Sequence, residues 1–110
     1  MPSELSPLRA AALVGTGAIL LDVREPHEWN SGHAPDALLM PMAEVDLRLG
    51  ELDRDQTAIL VCRSGVRPAI VTDFLTVRGY SAVNLGGGML AWAEAGLPVI
   101  TAGGDPGHVI

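Results

Sequence analysis

Two short, uninterrupted apolar runs, Ala18-Ile19-Leu20-Leu21 and Ala58-Ile59-Leu60-Val61, place the tightest constraint on this chain. A run without polar alternation buries both faces of a strand, as happens in a parallel sheet covered by helices. Ala37-Leu38-Leu39-Met40 and Ala82-Val83-Asn84-Leu85 read as weaker strands of the same kind. Between them apolar residues recur at helical spacing: Met42, Val45, Leu49 and Leu52, then Val66, Ile70, Phe74 and Val77, the second series closing on Arg78 and Gly79. A short helix is expected over Pro7 to Val14, with Leu8, Ala11, Ala12 and Leu13 on one side and Gly15 and Gly17 stopping it. A last helix runs from about Gly88 to Ala95, with Gly96 as a left-handed cap and Pro98 beyond it. The alternation predicts an α/β fold, a parallel sheet with helices on both faces in right-handed units. From Thr101 onward the chain is rich in Gly and Pro and has no apolar periodicity. The reading is one domain over residues 1–100 and a flexible tail over 101–110.

Composition narrows the partners. At 110 residues and 48% apolar content the chain supports one core without metal or disulfide help, and intrinsic disorder is excluded. All seven cationic side chains are arginines, and thirteen carboxylates leave a net charge of -6. That balance repels a phosphate backbone or an anionic leaflet, so neither nucleic acid nor a membrane surface is an expected partner. Cys62 is the one cysteine, which excludes an internal disulfide and points to the cytoplasm, and the three histidines have no metal-site spacing. The run from Ala10 to Leu21 is broken by Gly15, Thr16 and Gly17, and its twelve residues are too few to span a bilayer. No secretory leader is expected, because Glu4 opposes Arg9 and no small-residue cleavage site follows.

The chemistry concentrates in Cys62-Arg63-Ser64-Gly65-Val66-Arg67. This segment starts where the buried run Ala58–Val61 ends, and a helix begins inside it. Cys62 therefore falls at the carboxyl edge of the sheet, where open α/β folds bind ligands. Gly65 permits a tight turn, and the N–H groups of a strand-to-helix turn can converge as an anion cradle. Such a field, with Arg63 and Arg67 beside it, favours thiolate over thiol. A lone cysteine after a strand is by itself most simply a small buried hydrophobe. The two arginines and the glycine reverse that reading, since a thiolate handling anionic substrates needs them and a structural cysteine does not.

Three separated motifs then make the chain recognisable. Leu21-Asp22-Val23-Arg24-Glu25-Pro26-His27-Glu28-Trp29 with Gly32-His33-Ala34-Pro35-Asp36-Ala37, the loop Cys62–Arg67, and Leu85-Gly86-Gly87-Gly88-Met89-Leu90-Ala91-Trp92 with Ala95-Gly96-Leu97-Pro98-Val99 occur in order. Over about Ala18 to Val99 the chain resembles the single-domain rhodanese family of sulfurtransferases. The resemblance implies a small, five-stranded, mainly parallel sheet with helices on both faces. It also implies transfer of a sulfane sulfur from a small anionic donor, thiosulfate or a persulfide, through a persulfide on Cys62 to a cyanide, thiol or protein acceptor, with no cofactor. By position, Arg63, Ser64, Gly65, Val66 and Arg67 would bind the substrate. Pro68 departs from the family pattern, in which a small residue often follows the loop, and it biases Arg67 away from helical geometry.

The remaining polar residues read as structural: Asp22 and Arg24 as an ion pair shaping loops, and His33 as part of a Gly-His-x-Pro loop. Trp29 and Trp92 read as core aromatics, Met40, Met42 and Met89 as core fillers, and the three glycines Gly86 to Gly88 as a turn before a helix. Two alternatives to sulfur transfer by an enzyme stand beside it. One is a sulfur carrier or regulatory interaction module. The other is a cysteine-dependent phosphatase or arsenate reductase, which needs five residues between Cys and Arg where this loop has four. Oligomeric state is left open.

Overall fold

Proline and a side-chain acceptor start the first two helices. Ser6 caps α1 (Pro7–Val14), its hydroxyl accepting from the Arg9 N–H at 3.3 Å, and Glu25 and Glu28 form a reciprocal capping box on α2 (Pro26–Ser31). The computed structural model describes residues 4–65 and 68–110. Around these helices run β1 (Glu4–Leu5), β2 (Ile19–Asp22), β3 (Leu38–Leu39), β4 (Ala58–Val61), α3 (Pro68–Val77), β5 (Ala82–Leu85) and α4 (Gly88–Glu94). The five strands form one sheet in the order β1-β5-β4-β2-β3, and every pairing is parallel.

The two strongest apolar runs are neighbours, with Ile19 to Asp22 in register with Ala58 to Val61. Successive residues of β4 serve opposite layers, as strand geometry requires. Ile59 and Val61 pack with Ala10, Leu85, Met89 and Trp92 under α1 and α4. Ala58 and Leu60 pack with Met40, Val45, Val71 and Leu75 under α3. Helices thus cover both faces, as the unbroken apolar runs predict. Among the described residues no helix is long and apolar enough to cross a membrane.

Several local expectations are corrected. The series Met42, Val45, Leu49 and Leu52 forms two separate 3₁₀ turns, Met42–Glu44 and Leu49–Glu51, and not one helix. Arg48 braces them, bonding Glu44 at 3.1 Å, Glu51 at 2.7 Å and the Leu39 carbonyl at 3.2 Å. Its guanidinium holds the Glu51 carboxyl below the usual carboxylate range through that hydrogen bond. The buried face of α3 is Val71, Thr72 and Leu75, while Ile70 and Val77 are 74% and 81% exposed. On this face the buried Asn84 of β5 accepts a hydrogen bond from the Thr72 hydroxyl through its side-chain oxygen, beside the core residues Val71 and Leu75. α1 likewise buries Ala10 in the layer it shares with α4 and exposes Leu8. Met42 is exposed and fills no core. The edge strand β1 is too short and polar to signal itself in the sequence.

The segment predicted to fray carries backbone hydrogen bonds along much of its length. Thr101 N–H donates to the Asp105 carbonyl at 2.7 Å, Ala102 N–H to the Asn30 carbonyl at 3.2 Å and His108 N–H to the Ser31 carbonyl at 3.1 Å, and just before the segment Ile100 pairs with His33 in both directions at 2.9 Å. Val109 packs against the α1/α4 layer. Pairing through the main chain needs no apolar periodicity, which is why the sequence is silent about it.

Beyond β2 the backbone is fixed by a buried ion pair. Arg24 and Asp22 have fully buried side chains, with Nη2 to Oδ2 at 2.8 Å and Nε to Oδ1 at 2.9 Å, and Arg24 also donates to the Gly32 carbonyl at 2.8 Å. Breaking one half leaves the other charge desolvated and unpaired. Asp22→Asn is expected to lower the unfolding free energy in urea by about 3–5 kcal/mol, and the double replacement Asp22→Leu with Arg24→Met to cost less than the single one. A single variant as stable as the parent would show that the pair does not hold this edge together.

Candidate active site at the carboxyl edge of the sheet

The strand order contains one reversal. From β2 the chain moves outward to β3, and from β4 it moves the opposite way to β5, so the connections leaving β2 and β4 run to opposite sides at this edge, the place where open α/β sheets bind ligands. Cys62 is the first residue beyond β4, and its side chain is 1% exposed. The loop turns back on itself here, and Gly65 N–H donates to Cys62 Sγ at 2.7 Å. Gly65 has φ +91°, a conformation that glycine adopts at little cost.

The other side of the loop leans on the start of α4. Met89 N–H donates to the Cys62 carbonyl at 2.8 Å and Leu90 N–H to the Arg63 carbonyl at 3.0 Å. These N–H groups belong to the first helical turn and have no intrahelical acceptor to lose. In the Gly86–Gly88 turn, expected as a plain turn before a helix, Gly87 and Gly88 also lie against the loop, while Gly86 N–H donates to the Leu5 carbonyl of β1 at 2.7 Å.

Of the expected site residues, Cys62 and Gly65 are brought together directly. Arg63 and Ser64 are exposed, and Arg63 Nε donates to the backbone oxygen of Ile110 at 2.7 Å. Val66 and Arg67 lie outside the described residues. His33 and Trp29 occupy a separate structural cluster: the rings stack at 3.6 Å, and His33 Nδ1 bonds the Trp29 carbonyl at 2.8 Å. Trp92 is a core aromatic whose Nε1–H donates to the Pro98 carbonyl at 2.8 Å. No cluster of metal-ligating side chains is present among the described residues. A shallow apolar groove of about 180 Å³, lined by Met42, Val45, Asp46, Ile70, Val71 and Phe74, runs beside the first turns of α3.

Sequence reasoning missed two features of this site. The α4 contact carried a signal, three glycines in a row, but nothing in the sequence named the loop as its partner. The contact from Arg63 to Ile110 carried none.

What the loop can do chemically follows from its groups: one sulfur, an inward N–H directed at it, and an exposed guanidinium nearby. Comparison with known proteins agrees with the fold. The rhodanese-like domain model matches residues 6–95. A sulfurtransferase of Allochromatium vinosum is 40% identical over 87 residues, covering 78% of this chain and 81% of that protein. The thiosulfate sulfurtransferase GlpE of Actinobacillus pleuropneumoniae is 32% identical over 102 residues, covering 91% and 94% of the two chains. Among solved structures, a rhodanese-related protein from Thermoplasma volcanium superposes with a TM-score of 0.82 at 29% identity, covering 88% of this chain and 96% of that one. A family match that runs from the residue capping α1 to the residue closing α4 makes this protein a member of the rhodanese-like family.

Proposed function

We propose that this protein is a sulfurtransferase that carries sulfane sulfur as a persulfide on Cys62, with thiosulfate as donor. The observation that carries the reading is the Gly65 N–H held 2.7 Å from Sγ, a preformed donor for negative charge on sulfur. Support for the chemistry comes from the relatives named sulfurtransferase and thiosulfate sulfurtransferase.

The exchange has two balanced steps. In the first, the Cys62 thiolate attacks the outer sulfur of thiosulfate. A Cys62 S–S bond forms, the S–S bond of the donor breaks, and sulfite leaves with the electron pair. In the second, cyanide or an acceptor thiolate attacks the terminal sulfur, the new S–S bond breaks, and the electron pair returns to Cys62 as thiolate. Splitting one transfer into two in this way is nucleophilic catalysis, and the steps as written consume no other reagent. Arg63, Ser64, Gly65, Val66 and Arg67 form the substrate loop in this reading, with Arg63 and Arg67 meeting the anionic donor. The thiol is buried, which suits transfer of one atom from the tip of a donor. With one cysteine in the chain, the persulfide has no internal thiol to resolve it. A single cysteine, which allows no internal disulfide, supports a cytoplasmic setting for this activity.

A six-residue loop favours a single sulfur over a tetrahedral oxyanion, which is the ground for setting the phosphatase and arsenate reductase chemistry aside.

Incubation with thiosulfate is expected to add the mass of one sulfur atom to the intact protein, and cyanide to remove it. Cys62→Ser is expected to abolish both the adduct and turnover. A folded Cys62→Ser protein that still transfers sulfur at the parent rate would overturn the assignment.

Loop size gives a second test. The unmodified protein is expected to leave aryl phosphates intact, and a glycine inserted between Cys62 and Arg67 to slow sulfur transfer by at least about tenfold, the loss of about 1.4 kcal/mol of transition-state stabilisation. Vigorous aryl phosphatase activity in the unmodified chain would contradict the reaction class.

A further inference from the structure

We infer that the Gly86-Gly87-Gly88 turn and the Met89 and Leu90 amides orient the Cys62–Gly65 loop for sulfur transfer, with Gly88 and Leu90 acting as positioning residues. The inference rests on the sulfur-transfer reading above.

A trans peptide unit points its C=O and N–H in opposite directions, and no described peptide bond is cis. The Cys62 carbonyl shares a peptide unit with the Arg63 N–H, and the Arg63 carbonyl shares one with the Ser64 N–H. Both oxygens are held by α4, at 2.8 Å from the Met89 nitrogen and 3.0 Å from the Leu90 nitrogen. The Arg63 and Ser64 N–H groups are thereby turned away from α4. Two successive amides are given one orientation by contacts that never touch sulfur, and the next amide, that of Gly65, reaches Sγ.

Steric limits make the arrangement specific. A Cβ on Gly88 would lie 2.5 Å from the Cys62 oxygen and 2.7 Å from the Arg63 carbonyl carbon and oxygen, all of them backbone atoms. Gly88 also has φ +59°. Any L side chain at this position must push the loop away or change the course of the turn. A Cβ on Gly65 would come to 3.0 Å from the Gly87 nitrogen, so the two glycine segments meet at close range from both sides. Had the glycines served only to start a helix, close approach to the cysteine loop would not be required of them.

Two variants and one measurement on the unmodified chain test this. Gly88→Ala displaces the loop sterically. Leu90→Pro removes one first-turn N–H that has no intrahelical acceptor, and Leu90→Ala keeps it. At saturating thiosulfate, Gly88→Ala and Leu90→Pro are expected to load sulfur at least about tenfold more slowly, the scale of losing a preorganised donor. They are also expected to lose bound sulfur faster after desalting, and Leu90→Ala to recover the parent behaviour. Circular dichroism and thermal unfolding establish that the molecules compared are folded. A purely structural role would lower the unfolding temperature and leave the loading rate of folded protein unchanged. In the unmodified chain, amide exchange at Met89 and Leu90 is expected to slow on sulfur loading together with that at Gly65, whether or not the variants fold. Folded Leu90→Pro that loads and holds sulfur like the parent would overturn the inference, as would Met89 and Leu90 exchange indifferent to loading. A parent protein that never gains sulfur would instead refute the sulfur-transfer reading itself.

Discussion

The candidate site depends on the four-residue strand Ala58–Val61. It is buried on both faces and paired in parallel on both edges, with β2 on one side and β5 on the other. Its last peptide groups accept from both flanks: Val23 N–H bonds the Val61 carbonyl at 2.9 Å, and Met89 N–H bonds the Cys62 carbonyl at 2.8 Å. Neighbouring segments therefore place Cys62 through the main chain, whose geometry varies little with side-chain identity. Displacing either neighbour moves the sulfur.

Electrostatics at the site runs against the charge of the molecule. A net charge of -6 repels a doubly charged donor at long range. Over distances beyond roughly 8–10 Å that repulsion is largely screened at physiological salt. Within the loop the field is set by short-range donors: the Gly65 N–H on sulfur and the exposed Arg63 guanidinium, which rests on the Ile110 carbonyl. Arg24, the buried cation of β2's carboxyl end, is already matched by Asp22 and fixes backbone instead. In the proposed reaction, selection of an anionic donor therefore rests on the few groups of the loop.

Much of this was legible in the sequence where one physical demand dominates. The unbroken runs at Ala18–Leu21 and Ala58–Val61 have to be covered on both faces, and that alone implies the parallel sheet and puts Cys62 at its carboxyl edge. The cysteine and glycine signalled a tight turn around sulfur, the arrangement seen in the Gly65 N–H bond to Cys62 Sγ. Legibility failed where two demands compete. Ile70 and Val77 share a helical stripe but are exposed, and the face turned to the sheet instead carries Val71, Leu75 and Thr72, whose hydroxyl bonds the buried Asn84. Met42 to Leu52 has helical spacing, yet Arg48 binds carboxylates and a carbonyl in a way that fits two tight turns. The main-chain pairing of residues 100–108 and the seat that Gly88 provides for the loop depend on backbone atoms, which the sequence does not display.

The central claim is that the turn after β4 is built to hold negative charge on a sulfur attached to Cys62. The most direct measurement is the amide spectrum of nitrogen-15-labelled protein before and after thiosulfate loading, with intact mass following sulfur content in the same sample. The Arg63, Ser64 and Gly65 amide resonances are expected to shift on loading, Gly65 among the most affected, and to return when cyanide discharges the sulfur. Protein that carries the extra sulfur while these three resonances stay where they were would contradict it.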